Sequence, residues 1–345
     1  MNIIEHNKNG LLYLSCDGFE AAGGVAHGFS TRLGGVSEGK FASLNLSMTR
    51  GDDPARVAEN YRRFCAAIGA DVKGVVCASQ VHGDTVRSVT SADMGIPLDQ
   101  PEPWQADGLV TDIPGVVLTV FTADCLPILL YDPVRRVVGA VHAGWRGTAL
   151  GIAAKAVERM VDCYGCDRLD ILAAIGPGIS KCCFETHEDV PNAMTEAMGA
   201  SALHCIQVLP TGKFHVDLKA LNAKRLENAG LDPEHIAVSG DCTACLPEKY
   251  WSHRVTKGER GTQAAMIAII LGVSKSGMWL RWISIGGAPG ASDPLDTSLR
   301  ADETPATWLD TPGFALVARV GVSFREVNSR KDIFLYRKQT RRGCP

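Results

Sequence analysis

No apolar run in this chain of 345 residues is long enough to cross a lipid bilayer. The longest run, 264–273, is well short of the roughly 20 residues that a transmembrane helix needs. The first ten residues, MNIIEHNKNG, carry charges where a signal peptide has an apolar core. These two absences predict a cytoplasmic protein without a membrane partner.

An excess of charge of one sign is also missing. The formal net charge is −3, whereas proteins that bind nucleic acids through their phosphates carry a clear excess of Lys and Arg. We therefore expect no nucleic-acid partner. Twelve cysteines are too few for a disulfide scaffold in a chain of this length. In the cytosol most of them are expected to be buried thiols, so that any exceptions would be metal ligands or nucleophiles.

The clearest local pattern is a predicted β-hairpin. Two apolar runs, 126–130 and 137–141, flank an Asp-Pro-Val-Arg turn at 132–135, and this pattern is typical of two buried antiparallel strands. Cys125 comes just before the first strand and His142 just after the second. The hairpin therefore predicts that a thiol and an imidazole lie side by side at one edge of a sheet.

His82, at the end of a strand predicted over 75–82, makes a third candidate with Cys125 and His142. Two imidazoles and a thiolate are a ligand set for Zn²⁺ that leaves a fourth position open. The same residues suit a nucleophilic thiol that an imidazole activates, with Asp124 or Gln80 orienting the ring. A buried thiol with two hydrogen-bonded histidines fits the spacing equally well, so the residues alone leave these interpretations open.

Two CxxC sequences, 163–166 and 242–245, raise the question of a second metal site. Two such pairs can together form a structural zinc site with four cysteine ligands. Because the first pair closes a predicted helix and the second lies in a distant loop, ordinary thiols are favoured over such a site.

Three arginines are candidate anion ligands. Arg146 precedes a helix whose predicted N-cap is Thr148, and backbone N–H groups at a helix start can bind phosphate. Arg32 precedes a Gly-Gly loop, and Arg254 lies in a predicted strand over 250–254. A guanidinium adds a bidentate contact to phosphate. Arg146 is the strongest candidate, since a solvated surface role fits Arg32 and Arg254 equally well.

The composition changes beyond residue 271. Residues 1–271 are predicted to form one α+β domain, whereas 272–345 lacks helical or strand periodicity apart from 314–324. We interpret 272–345 as an appendage of unknown role and expect it to be dispensable for folding.

Several segments resemble a known bacterial family. They are HGFSTRLGGVS (27–37), SLNLS (43–47), QVHG (80–83), ADGLVTD (106–112), TADCLPILLYDP (122–133), VGAVHAGWRGT (138–148) and IGPGIS (175–180). Together they resemble the YfiH-type family, which is described both as laccase-like polyphenol oxidase and as purine nucleoside phosphorylase. The resemblance covers about 20–271, and TADCLP followed by HAGWRGT is its most specific part.

The resemblance implies a fold and a site. The fold would be α+β, with two stacked mixed β-sheets flanked by helices in a single main catalytic domain, 1–271. One zinc ion, with copper less favoured, would be held by the residues that also form the catalytic group: His82, Cys125 and His142. The substrate or phosphate site would contain Arg32, Asn45 and Arg146.

The implied activity is that of a zinc-dependent purine nucleoside phosphorylase. Its substrates would be phosphate and adenosine, inosine or methylthioadenosine, with adenosine deaminase as a further activity. The pattern H-x-E…P-C-x-x-C of the standard zinc deaminases is absent. A copper polyphenol oxidase is an alternative, although nine histidines without an H-x-H pair disfavour a multicopper cluster. Two alternatives remain. One is a metal-free Cys–His amide hydrolase that acts on peptidoglycan precursors, and the other is a non-enzymatic binding domain that a metal stabilises.

One segment departs from the family pattern. The family closes with Ser-x-Arg and then an arginine in a TGR-like sequence, whereas this chain has SHR at 252–254 followed by GERGTQA at 258–264. The second arginine is either replaced by Thr262 or displaced to Arg260. A substrate contact from this segment is therefore in doubt.

Overall fold

The computed structural model describes residues 1–100 and 104–270, which belong to one compact unit, Met1–Ser274. The strands are β1 (Ile3–Lys8), β2 (Leu11–Cys16), β3 (Val25–Ser30), β4 (Val75–Val76), β5 (Val86–Ser88), β6 (Gly108–Thr111), β7 (Val117–Thr122), β8 (Leu126–Asp132), β9 (Val137–Ala143), β10 (Leu172–Ile175), β11 (Glu185–Thr186), β12 (Ile206–Val208), β13 (Phe214–Val216), β14 (Ile236–Val238) and β15 (Gln263–Ile269). The helices are α1 (Asp17–Ala22), α2 (Pro54–Ile68), α3 (Trp145–Leu150), α4 (Ile152–Tyr164), α5 (Asp189–Met198), α6 (Leu218–Asn228) and α7 (His253–Thr256).

Two six-stranded sheets and a small third sheet contain these strands. In hydrogen-bonding order the first sheet is β1-β2-β3-β15-β7-β4, the second is β14-β10-β8-β9-β6-β5, and the third is β11-β13-β12. The pairs β4/β7, β5/β6 and β10/β14 are parallel. The other pairs are antiparallel, so both large sheets are mixed.

The two large sheets stack on a shared apolar core. Leu118 of the first sheet and Leu129 and Ala140 of the second belong to one buried cluster. The central strand β15 is buried along its whole length, because it has an apolar layer on each face. Ile267 points into the core between the sheets, and its neighbour Met266 points to the opposite face.

Helices cover the outer faces of this stack. Tyr61 and Phe64 of α2 pack against the first sheet. Val157 of α4 and Leu221 of α6 join the cluster on the outer face of the second sheet. The predicted α+β architecture of two stacked mixed sheets flanked by helices is therefore confirmed.

The predicted hairpin forms strands β8 and β9. They pair in antiparallel register, with Pro127 opposite His142. The Asp132 carboxylate closes the turn by accepting hydrogen bonds from the backbone N–H groups of Val134 and Arg135, both at 2.8 Å. The residue that precedes β8 therefore lies beside the residues that end β9.

The strand predicted over 75–82 is much shorter than expected. Only Val75–Val76 pairs with β7, in parallel. Further along, the side-chain amide of Gln80 replaces backbone pairing: it accepts from the Phe121 N–H at 2.7 Å and donates to the Phe121 carbonyl at 2.8 Å. His82 consequently lies in a turn, where its φ is 61°.

The helix predicted to begin at Thr148 begins earlier. Gly144 is the N-cap of α3, and the Thr148 hydroxyl lies inside that helix and donates to the Gly144 carbonyl at 2.9 Å. Gly151 separates α3 from α4 with a φ of 78°. The strand predicted over 250–254 is also wrong, because α7 begins within that range.

The predicted appendage, 272–345, and its strand-like segment lie outside the described residues. The domain boundary at 271 therefore stays a prediction. Across the part of the chain that is described, no helix combines the length and the apolar character needed to span a membrane.

The N-cap of α2 offers a test of this part of the fold. The Asp53 carboxylate accepts a hydrogen bond from the Ala55 N–H at 2.9 Å. Asp53→Ala should lower the free energy of unfolding by about 1 kcal/mol, because the freed N–H loses its partner. Urea denaturation measures this loss. Asp53→Asn keeps an acceptor and should lose much less, and an equal loss in both variants would contradict the capping role.

Candidate active site

Two histidines and one cysteine converge at one end of the second sheet. Cys125 precedes β8, His142 lies in β9, and His82 lies in the turn before β5. One potential ligand atom from each residue lies within 4.8 Å of the other two. The Cys125 Sγ is 3.8 Å from the His82 Nε2, and the two imidazole rings are nearly perpendicular, with centroids 4.8 Å apart. The structure thus brings together the three residues that the sequence singled out.

Gly144 leaves the space that this convergence needs. A β-carbon at Gly144 would lie 3.0 Å from the His82 ring and 3.2 Å from the Cys125 sulfur. Because Gly144 directly follows β9, the HAGWRG segment supplies both a histidine and the room beside it.

The buried carboxylate of Asp107 orients both histidines. Its Oδ1 accepts from His142 Nδ1 at 2.8 Å and from the His82 backbone N–H at 3.0 Å. Its Oδ2 accepts from the backbone N–H groups of Val81 at 3.1 Å and Gly83 at 2.8 Å. The His142 ring therefore keeps Nε2 available for a ligand or a proton.

Asp107 was not among the predicted site residues. It immediately precedes β6, which pairs with β9, and this adjacency is the signal that could have found it. The imidazole of His142 is oriented by Asp107, and not by Asp124 or Gln80 as we had considered.

The charges of this group are strongly coupled. Burial alone would raise the pKa of the Cys125 thiol, but the neighbouring His142 and His82 outweigh burial and lower it to about 6. Burial opposes protonation of His142, yet Cys125 and Asp107 raise its pKa to about 9. Hydrogen bonds from His142 and from backbone N–H groups likewise outweigh burial and lower the pKa of Asp107. Without a metal, both shifts act in the direction of a thiolate beside an imidazolium.

Asp124 fixes the backbone next to Cys125. Its φ is 87°, in the left-handed region that a residue with a side chain rarely adopts. The carboxylate accepts one hydrogen bond from the Thr243 hydroxyl and one from the backbone N–H of Arg254, both at 2.6 Å. The Asp124 carbonyl accepts from the Ile179 N–H at 2.7 Å. These contacts hold the strained conformation in place.

The three residues open into a cavity of about 540 Å³. Its apolar walls include Phe121, Trp145, Ile179 and Phe184. Flat aromatic walls of this kind suit a planar ring, and a cavity of this size suits a small organic ligand.

The lining of the cavity is rich in positive charge. Three arginines, Arg50, Arg254 and Arg260, line it, whereas burial and the nearby Arg260 lower the pKa of His253 and so favour its neutral form. The Arg260 side chain is 8% exposed and donates to the Gly261 carbonyl at 3.0 Å, while its Nε has no hydrogen-bond partner in the described structure. Burial and the nearby Arg50 lower the pKa of Arg260 to about 10. An anion in the cavity would relieve this repulsion and satisfy the free N–H.

The other predicted anion ligands have different surroundings. The guanidinium of Arg32 donates to the Ala42 carbonyl at 2.9 Å and to the Pro247 carbonyl at 2.9 Å. It also stacks on Trp251, with the Arg32 Cζ 4.0 Å from the centre of the ring. Arg146 is exposed and lies over the Trp145 ring at 4.4 Å. Neither arginine is among the described residues that line the cavity. Their predicted role in phosphate binding stays a prediction.

Asn45 is fully buried beside the cavity wall. Its Oδ1 accepts from the backbone N–H groups of Ser47 and Thr262, both at 3.0 Å, and its amide donates to Asp52 at 2.9 Å. Asn45 therefore positions the segment that carries Arg260, and a direct contact with substrate stays a prediction.

The cysteine pairs combine differently from the pairing that we had considered. Cys242 and Cys245 lie beside Cys182 and Cys183, and not beside Cys163 and Cys166. The Cys166 thiol is buried, which raises its pKa.

The residues around Cys125 fit a metal ion. A soft thiolate and two imidazoles are the donor set that Zn²⁺ or copper accepts, and a carboxylate behind one histidine is the usual support for such a ligand. The lowered pKa of the Cys125 thiol favours the deprotonated form that a metal binds.

Comparison with known proteins identifies relatives over the same part of the chain. A family model described as multi-copper polyphenol oxidoreductase laccase matches residues 26–270. The purine nucleoside phosphorylase YlmD of Geobacillus stearothermophilus is 37% identical over 260 residues, which are 75% of this chain and 93% of that protein. A purine nucleoside phosphorylase of Deinococcus radiodurans is 40% identical over 246 residues, 71% of this chain and 89% of that protein.

Solved structures agree with this result. The crystal structure of YlmD from Geobacillus stearothermophilus superposes with a TM-score of 0.73 at 34% identity and covers 78% of this chain and 100% of that chain. The hypothetical protein YfiH of Bacillus licheniformis superposes with a TM-score of 0.70 at 34% identity, covering 74% of this chain and 96% of that chain. The chain therefore belongs to the YfiH-type family of multi-copper polyphenol oxidoreductase laccases, an enzyme family in which its relatives are named purine nucleoside phosphorylases.

Proposed function

We propose that this chain is a zinc-dependent purine nucleoside phosphorylase that also deaminates adenosine. Its substrates would be phosphate and a nucleoside such as adenosine, inosine or methylthioadenosine. One observation carries the proposal: the group of His82, Cys125 and His142 shares a cavity with Arg260, a buried cation whose Nε has no hydrogen-bond partner in the described chain. The names of the relatives supply the substrate class.

Arg260 and Arg50 would hold the phosphate. The Nε of Arg260 is free for an anion, and Arg50 adds positive charge from the same side. The guanidinium of Arg254 already donates to the carbonyls of Cys183 at 3.0 Å and Glu185 at 3.1 Å. It would therefore contribute mainly its charge.

Phosphorolysis requires the anion and the nucleoside to meet in one place. A phosphate oxygen forms a bond with C1′ of the sugar while the bond from C1′ to the base nitrogen breaks, and the base nitrogen takes up the proton that the hydrogen phosphate gives up. The purine would lie against aromatic walls such as Phe121 and Phe184. The phosphate held by Arg260 would face the positive charge that develops on the sugar.

A zinc ion would be held by His82, Cys125 and His142, and it would supply Lewis-acid chemistry there. The chain itself contributes an ordered set of donors. Asp107 fixes the His142 ring, and Gly144 leaves room beside all three side chains.

A copper polyphenol oxidase is the alternative that the family description supports. A set of two histidines and one cysteine can hold copper as well as zinc. In the described residues, however, the second group of potential ligands contains only cysteines, whereas a multicopper cluster needs many imidazoles. Copper that stays bound through purification, together with oxidation of phenols, would favour this alternative.

A metal-free amide hydrolase, for example one acting on peptidoglycan precursors, is favoured by another observation. Cys125, His142 and Asp107 have the order of a nucleophilic triad, with a thiol of lowered pKa, an imidazole and an orienting carboxylate. Amide hydrolysis by protein treated with a chelator would support this alternative.

The metal site can be tested without changing a ligand. Asp107→Asn removes the negative charge behind His142 and turns an acceptor of three backbone N–H groups into a poorer one. It should weaken zinc binding about 10- to 100-fold, as loss of such supporting partners does. Competition with a chromophoric chelator measures the affinity. Asp53→Asn, on the remote helix α2, is the matched control and should bind zinc like the wild type. Unchanged affinity in Asp107→Asn would contradict the proposed site.

The phosphate site can be tested by comparing two arginines. Arg260→Gln should raise the Michaelis constant for phosphate about 10- to 150-fold, which corresponds to the roughly 1.5–3 kcal/mol of a hydrogen bond to a charged group. Deamination consumes water and should suffer less. Zinc content should not change, since a guanidinium does not bind a metal at neutral pH.

Arg146→Ala is the matched comparison. If Arg146→Ala raises the Michaelis constant and Arg260→Gln does not, phosphate binds near the start of α3, as the sequence predicted. Cleavage of nucleosides at the same rate without phosphate would sink the phosphorylase proposal and favour the hydrolase.

A further inference from the structure

A second group of potential ligands lies apart from the candidate active site. It consists of Cys182 and Cys183, from the turn between β10 and β11, and of Cys242 and Cys245, from the loop that follows β14. All four sulfur atoms lie within 4.8 Å of one another. We call this group the four-cysteine cluster.

The distances in the cluster suit metal coordination. The Cys245 Sγ is 3.5 Å from that of Cys182 and 3.4 Å from that of Cys183. Tetrahedral zinc with Zn–S bonds of about 2.3 Å places neighbouring sulfurs about 3.8 Å apart. A disulfide requires about 2.05 Å, and all four cysteines are free thiols. A disulfide would also join only two of the four sulfurs that meet here.

Backbone donors surround one of these sulfurs. The Ser180 N–H donates to the Cys242 Sγ at 3.3 Å, and the N–H groups of Ala244 and Cys245 also hydrogen-bond to it. N–H groups that point at a sulfur favour the thiolate, which is the form that a metal binds. The Cys-Thr-Ala-Cys turn thus resembles in its bonding one half of a structural zinc site.

A buried cation lies beside the cluster. Lys219 is 5% exposed, and its ammonium donates to the carbonyls of Ser239 at 2.8 Å and Asp241 at 2.6 Å. Its charge acts on Cys242 and Cys182. Four thiolates around a divalent ion have a net charge of −2, and the positive charge of Lys219 would partly offset it.

We propose that Cys182, Cys183, Cys242 and Cys245 bind a second zinc ion, in a structural site with four thiolate ligands. Structural zinc sites use four protein ligands and leave no position open for substrate. The ion would cross-link two loops that have no regular strand pairing, apart from one bridge between Gly178 and Cys242.

The cross-linked loops carry parts of the cavity wall. The Arg254 guanidinium is held by the carbonyls of Cys183 and Glu185, and Phe184 lines the cavity between them. Thr243, inside the Cys-x-x-Cys turn, donates to Asp124, which precedes Cys125. The second ion would therefore act as a positioning element for the candidate active site, whatever reaction that site performs.

Metal analysis of the full chain tests the proposal. Wild-type protein purified with a reductant should contain about two zinc ions per chain, and the Cys125→Ala variant, which loses a ligand of the first site, should retain about one. X-ray absorption of the zinc in Cys125→Ala should then show four sulfur ligands at about 2.3 Å and no imidazole. Because this variant leaves the four-cysteine cluster intact, the result does not depend on whether cluster variants fold.

Variants of the exposed ligands complete the test. Cys182→Ser and Cys245→Ser should each lose one zinc ion and melt at a lower temperature than the wild type, whereas Cys205→Ser, outside the cluster, should keep both ions. The proposal is overturned if Cys125→Ala contains no zinc, or if its zinc has imidazole ligands. It is also overturned if mass spectrometry finds a disulfide within the cluster of the reduced, freshly purified protein.

Discussion

The buried carboxylate of Asp107 is the constraint on which the candidate site depends. Four donors converge on it: the backbone N–H groups of residues 81–83 and the Nδ1 of His142. A carboxylate that is 1% exposed is stable only when such donors replace water. One side chain therefore joins the turn that carries His82 to the end of β9. The position of each histidine follows from this requirement, and Asp107 adds to the effect of Cys125 in raising the pKa of His142.

The cavity beside this group combines groups of opposite charge. Cys125, whose thiol has a lowered pKa, lines it together with the guanidinium groups of Arg260, Arg50 and Arg254. A buried guanidinium with a free N–H is costly unless an anion completes it. Asn45 accepts a hydrogen bond from the Thr262 N–H and so helps to hold the backbone of the segment from which Arg260 lines the cavity.

How much could be predicted depended on the range of the interactions. The β8–β9 hairpin has local contacts and a clear apolar pattern, so its strands, its turn and the meeting of Cys125 with His142 were predicted correctly. The strand over 75–82 was not, because the Gln80 side chain replaces backbone pairing with β7. The start of the next helix was also misplaced, since Gly144 caps it without a side chain. Neither the Gln80 contact with β7 nor the Gly144 cap produces a periodic pattern in the sequence.

The pattern of residues by itself determined the buried hairpin strands and the meeting of Cys125 with His142, because apolar runs and turn chemistry act between near neighbours in the chain. The two-sheet fold and the place of His82 beside them were expected only from the family resemblance. Only the tertiary structure decided which distant residues complete the sites. Asp107 reaches His142 across 35 positions, and Cys182 reaches Cys245 across 63. Such pairs form because two sheets stack and their loops gather at one end. Sequence spacing carries no record of that packing, so the sequence offered only the pairing of the two CxxC segments for consideration and did not point to Cys182 and Cys183.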